Sequence, residues 1–134
     1  MQLTATHLDV GIAVTDMDAS LGFYRDTLGL AAASDRQMRG IGRMVKLGVG
    51  ASTLKLIAPE KPATGRAVPG GHLGGVPGLR YVTFEIGDLE ETVDACQKAG
   101  HTVALGPLDL GAGVRLAMVE DPDGNWVELV QVGS

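Results

Sequence analysis

The chain has one cysteine among 134 residues, so an internal disulfide framework is excluded. It also has no apolar run long enough to cross a bilayer, and Met1-Gln2-Leu3-Thr4 lacks the basic and apolar regions of a secretory leader. The expected compartment is therefore the cytoplasm. Basic residues are in deficit, eleven Lys and Arg against sixteen Asp and Glu for a formal charge of −5. They are spread along the chain rather than gathered into a patch, so neither nucleic acid nor an anionic membrane is an expected partner. Aromatics are scarce as well, with two Phe, two Tyr and one Trp, which argues against a site built from extensive ring stacking.

What is present is ample hydrophobic content, 45% of residues, arranged in short periodic segments. This length and composition suit one structural domain, or two small halves sharing their burial. Asp9 to Val14 alternates with period two as a half-buried strand does. Asp16 or Asp18 then caps a helix in which Met17, Leu21, Tyr24 and Leu28 fall at helical spacing, and Gly29 stops it. Strands are predicted near 30–34, 41–47 and 52–57. The order repeats in the second half. Tyr81 to Ile86 alternates, Asp88 with Glu91 fits an acidic capping box for a helix over 89–99, and Gly100 ends it. Strands near 102–104, 114–119 and 126–130 follow. A shift of 72 lays Ile12 on Phe84 and Asp16 on Asp88, and a shift of 73 lays Leu54-Lys55-Leu56 on Val127-Glu128-Leu129. The predicted organisation is a first βαβββ module over 1–58, a Pro- and Gly-rich loop over 59–78, and a second βαβββ module over 79–134.

The last two strands flank Asp121-Pro122-Asp123-Gly124-Asn125, a tight turn built from residues that tolerate positive φ. Asp121 and Asp123 belong to that turn and lack the further oxygen ligands of a calcium loop. Cys96 shares a helical face with Leu89 and Val93 and reads as a small core residue. Gly70-Gly71-His72-Leu73-Gly74-Gly75 reads as a mobile tether or as a flap that brings His72 to a ligand; no strand leads into it and no helix follows, so it is not a phosphate loop.

The run Val10-x-Ile12-x-Val14-x-Asp16, then Ser20-x-x-Phe23-Tyr24 and Leu28-Gly29-Leu30, with the closing Asp121-Pro122-Asp123-Gly124-Asn125-x-x-Glu128-Leu129, resembles the vicinal oxygen chelate superfamily. That superfamily includes glyoxalase I, extradiol dioxygenases and bleomycin resistance proteins, and the resemblance covers nearly the whole chain. It implies an α+β fold in which two βαβββ modules form a curled mixed sheet with a central cleft, helices on the convex side, often as a homodimer. Such motifs specify a fold far better than a reaction.

With Val10, Ile12, Val14, Val82, Phe84 and Ile86 under the helices, alternation turns His7, Asp9, Thr53, Lys55, Tyr81, Thr83, Trp126 and Glu128 toward the cleft. The resemblance places metal ligands at Asp9 and Glu128, and at the positions held here by Lys55 and Tyr81. A protonated lysine cannot ligate a metal. The expected function is therefore chemistry on a small oxygenated molecule without a metal or other cofactor: Lys55 stabilises an enolate-like oxyanion, Glu128 or Asp9 moves the proton, and Tyr81 donates a hydrogen bond, with His7, Thr53, Thr83, Trp126 and His72 around the ligand. Three alternatives stay open. The chain sequesters a small molecule or antibiotic without turnover, Asp9 and Glu128 hold a divalent metal weakly with His7 as a third ligand, or Lys55 bridges the two carboxylates as a structural ion-pair cluster.

Overall fold

The computed structural model of the chain describes residues 1–133. It divides into two compact units, residues 1–65 and residue 66 onward, each an α+β layer with one four-stranded mixed sheet.

In the first unit, strand β1 (Val10–Ala13) leads into helix α1 (Met17–Leu21). Asp16 caps the helix, its carboxylate accepting the Ala19 N–H at 3.1 Å. The helix expected to run on to Leu28 instead widens at Gly22 into a π-helical segment, Gly22–Thr27, closed by Leu28 N–H onto the Phe23 carbonyl and by the Thr27 hydroxyl onto the Gly22 carbonyl. In an α-helix neighbouring side chains diverge by about 100°, whereas the wider π turn brings successive residues closer to one face. Phe23 and Tyr24 are in consequence both fully buried, edge to face at 4.7 Å. Leu30 N–H still closes onto the Tyr24 carbonyl, so the strand expected from residue 30 begins later. Strands β2 (Ala32–Met38), β3 (Gly42–Val49) and β4 (Ser52–Pro59) complete the sheet in the order β1-β4-β3-β2, with β1 parallel to β4 and the rest antiparallel. Val14, Leu21, Phe23, Tyr24, Val45, Leu47, Leu54 and Leu56 form its core.

The second unit repeats the topology. Strands β5 (Tyr81–Glu85), β6 (Val103–Gly111), β7 (Val114–Glu120) and β8 (Trp126–Val132) take the order β5-β8-β7-β6, and helix α2 (Leu89–Lys98) packs Leu89, Val93 and Cys96 onto one face. Strand β6 is much longer than the segment expected at 102–104, because its pairing with β7 continues across three register breaks. The capping box expected of Asp88 and Glu91 does not form. Asp88 takes the Thr92 hydroxyl instead, and the Leu89 N–H donates to the side-chain oxygen of Gln131, on β8, at 2.8 Å.

The turn between β7 and β8 is organised by Asp121, which is 3% exposed. Its carboxylate accepts the N–H groups of Asp123 and Asn125 and the Asn125 side-chain amide, and Gly124 supplies the φ of +88° that lets the chain return. The expected role of the Asp-Pro-Asp-Gly-Asn run is thus met by a carboxylate that organises backbone. Burial of Cys96 in the α2 core pushes its thiol up from its ordinary range.

Candidate active site

Strand alternation and register decide which side chains share a sheet face, and the candidate residues fall into two groups, one in each unit. In the first, β1 and β4 align Val10 with Leu54, Gly11 with Lys55, Ile12 with Leu56 and Ala13 with Ile57. Leu54 and Leu56 are buried beneath the helix side, so Thr53, Lys55 and Ile57 occupy the opposite face. Asp9 precedes β1 and is fixed there by its Oδ1, which accepts the Thr53 N–H at 3.0 Å. Leu8 N–H reaches Ser52 Oγ one step earlier, at 3.3 Å. His7 Nδ1 lies 3.3 Å from Asp9 Oδ1, and Lys55 Nζ lies 4.0 Å from Asp9 Oδ2. His7, Asp9, Thr53 and Lys55 therefore gather as expected, with one ammonium against one carboxylate.

The second group lies on β5 and β8, whose register pairs Tyr81 with Trp126 and Thr83 with Glu128. The Thr83 hydroxyl donates to Glu128 Oε1 at 2.9 Å. The Glu128 position is half-buried and Thr83 is exposed. Tyr81 is 43% exposed and is the accessible ring of the group.

Trp126 is placed differently from the open platform expected in the sequence. It is 7% exposed, its indole N–H donates to Glu120 Oε1 at 3.3 Å, and Gly71 lies on its face. A Cβ at Gly71 would overlap the indole carbons, and its φ of +52° disfavours any other residue. The segment carrying Gly71 is held down by Arg80, which donates to the carbonyls of Gly71 and Val68 at 2.8 Å each. Ala67 N–H and Arg66 bind the turn at Asp123 and Pro122. Residues 66–80 thus form a strap fastened to the second unit, with one short 3-10 turn at Gly71–Leu73. His72 is exposed, its ring edge-on to Tyr81 at 5.3 Å and to Trp126 at 6.0 Å.

Glu120 and Arg80 were not legible as site residues. Glu120 ends a strand as any solvated carboxylate would, and nothing near Arg80 announces that its guanidinium binds carbonyls nine and twelve residues back. Asp35 and Arg43 pair at 2.8 Å on the helix side, with Arg43 also 4.0 Å from Asp18. The Arg43 hydrogen bonds hold the Asp35 carboxyl below its ordinary range.

Among the described residues, no three of His, Cys, Asp or Glu come together as a set that could hold a metal ion. Asp9 has only His7 beside it as a potential co-ligand, and its second oxygen faces an ammonium group. A hard divalent ion takes six or more oxygens and zinc takes four ligands, so this donor set does not fit either.

Similar proteins share the arrangement of strands over nearly the full chain. A probable lactoylglutathione lyase from Synechocystis sp. is 30% identical over 131 residues, 92% of each protein. A glyoxalase family protein from Bacillus cereus superposes with a TM-score of 0.82 at 19% identity, over 99% of this chain and 97% of the other. An antibiotic binding protein from Streptomyces sp. CB03234 superposes with a TM-score of 0.72 at 22% identity, over 98% and 100% of the two chains. Residues 5–129 match the Glyoxalase/Bleomycin resistance protein/Dioxygenase superfamily, and the chain belongs to that family.

Proposed function

We propose that the chain acts on a small oxygenated organic molecule by carboxylate proton transfer, without a divalent metal, Lys55 stabilising an enolate-like oxyanion in a lyase or isomerase type of step. The observation that carries this reading is the Lys55–Asp9 pair, with Nζ 4.0 Å from Oδ2. At that separation the ammonium is not locked in a short ion pair, and it remains able to meet an oxygen of the ligand. In the step envisaged, a carboxylate takes a proton from the carbon beside a carbonyl, the C–H electron pair becomes the C=C bond, and the carbonyl electrons move onto oxygen facing Lys55. Asp9 is one candidate base. Glu128, held by Thr83 on the strand beside Tyr81, is the corresponding carboxylate of the second unit. No step is routed through a metal. The Synechocystis relative, named for a lyase, supports this class of reaction.

The test is hydrogen exchange in heavy water at the carbon beside the carbonyl, followed by NMR over a panel of small hydroxy- and keto-carbonyl compounds, lactoylglutathione included, with EDTA-dialysed protein. Exchange is expected to persist after dialysis and to fall by about 10²-fold or more in Lys55→Ala and in Asp9→Asn, with Glu128→Gln as the comparison. Full exchange in folded Lys55→Ala and Asp9→Asn overturns the assignment.

A second reading, sequestration of a small molecule without turnover, is favoured by the ring cluster of His72, exposed Tyr81 and Trp126, which offers one accessible aromatic face for a ligand. Stoichiometric binding without any exchange, lost in Tyr81→Ala, is its signature.

A further inference from the structure

The register of the first sheet places a second lysine beside Lys55. Lys46 on β3 lies directly opposite Lys55 on β4, and Ser34 on β2 lies directly opposite Lys46. Together with Gly11 beside Lys55, this makes one row across the sheet, Gly11, Lys55, Lys46, Ser34, with all four on the face away from the helix. Arg36, two residues along β2 from Ser34, is diagonal to Lys46 on the same face.

Like charges directly opposite each other across an antiparallel pair are destabilising, and such positions normally carry opposite charges or neutral groups. Here Lys55 has Asp9 at 4.0 Å, while no carboxylate among the described residues pairs with Lys46 or Arg36. Three cations against one carboxylate leave this face positive in a chain of net charge −5. The floor beside the lysines is also low. A Cβ at Gly48, which pairs with Thr53 one row away, would meet nothing within 4 Å, and one at Gly11 would meet only Ile57 Cδ1, at 3.7 Å. The row therefore joins two ammonium groups, only one of them facing a carboxylate, to open space above the strands.

The geometry points to an oxyanion subsite at Lys46 and Lys55, with Arg36 and the Ser34 hydroxyl at its edge, for a small ligand bearing a carboxylate or phosphate group. This rests on the reading that Lys55 meets a ligand and narrows that ligand to an anion. Lysine ammonium groups suit such a role as compact point charges, and the ligand's negative charge removes the repulsion the free protein carries.

The experiment is titration of the full chain with oxalate and, separately, with inorganic phosphate, against chloride at matched ionic strength. It is read by calorimetry and by the side-chain NMR signals of Lys46 and Lys55. Saturable binding that shifts both lysines is expected, and the tighter of the two anions identifies the group recognised. Lys46→Gln is expected to weaken binding about tenfold, Lys46→Arg to retain it, and Lys61→Gln, outside the row, to leave it unchanged. Asp9→Asn separates this inference from the functional reading. Removing the carboxylate beside Lys55 tightens oxyanion binding, whereas it abolishes exchange if Asp9 is the base. A response no different from chloride, or one equal in wild type and Lys46→Gln, overturns the subsite. Loss of exchange in Lys55→Ala with no anion saturation keeps the functional reading and rejects this one.

Discussion

Ser20 carries a polar group into the core of the first unit. It is fully buried on α1, and its hydroxyl has no hydrogen-bond partner among the described residues, so the desolvation of that group is uncompensated. Ser20→Ala removes the orphaned oxygen and substitutes a better helix former, and it is expected to stabilise the protein by about 1 kcal/mol, seen as a higher urea midpoint with an unchanged slope. An unchanged or lower midpoint refutes this account of the site. Asp121 shows the opposite case, a buried carboxylate whose oxygens accept three N–H donors of its own turn. Both residues belong to sequence runs that carry the family resemblance. Only the surroundings distinguish a satisfied buried polar group from an unsatisfied one.

Among the elements, helix α2 is capped from a distance. Its expected partner was Asp88, the adjacent residue, yet the first N–H goes to Gln131 from the final strand. Gln131→Met is expected to cost about 1 kcal/mol, the ordinary value of a helix cap, and to raise hydrogen exchange at Leu89 ahead of the rest of the helix. If Leu89 exchange is unaffected, the cap is incidental. Local pattern could not reveal this bond, because residues 89 and 131 meet only after the sheet has formed. The same limit applies to Arg80 and the strap. By contrast, the order of strands and helices was legible in both halves from alternation at Val10 to Val14 and Tyr81 to Phe84, since burial under a helix imposes period two on the strand itself. Lys46 was not legible as a site residue, because its place beside Lys55 and Ser34 depends on how β3 registers against β4 and β2.

At the scale of the whole molecule, charge is divided unevenly. Residues 1–65 hold seven Lys and Arg against six Asp and Glu, while the remainder holds four against ten. The duplicated position that is Lys55 in one unit, beside Gly11, is Glu128 in the other, beside Thr83. One strand plan thus presents a cation in the first copy and an anion in the second, which is why the fold could be read so much further than the chemistry. The buried thiol of Cys96 supplies a test of the second unit's integrity. Its folded pKa is raised above the unfolded value of about 8.5, so the stability it contributes is fully present below that value and is lost as pH rises through the folded one. Modification by a thiol reagent at pH 8 is expected to be at least about 10³-fold slower than in urea-unfolded protein and to accelerate as stability falls. Reaction at the unfolded rate would show that the α2 core is open.

The contact between Gly71 and Trp126 gives the protein an optical gauge of its own. Trp126 is the single tryptophan of the chain, and the strap lies directly against its ring. Its emission colour therefore reports, without any attached dye, whether that strap is down or lifted, and a ligand that displaces residues 66–80 announces itself as a shift toward longer wavelength.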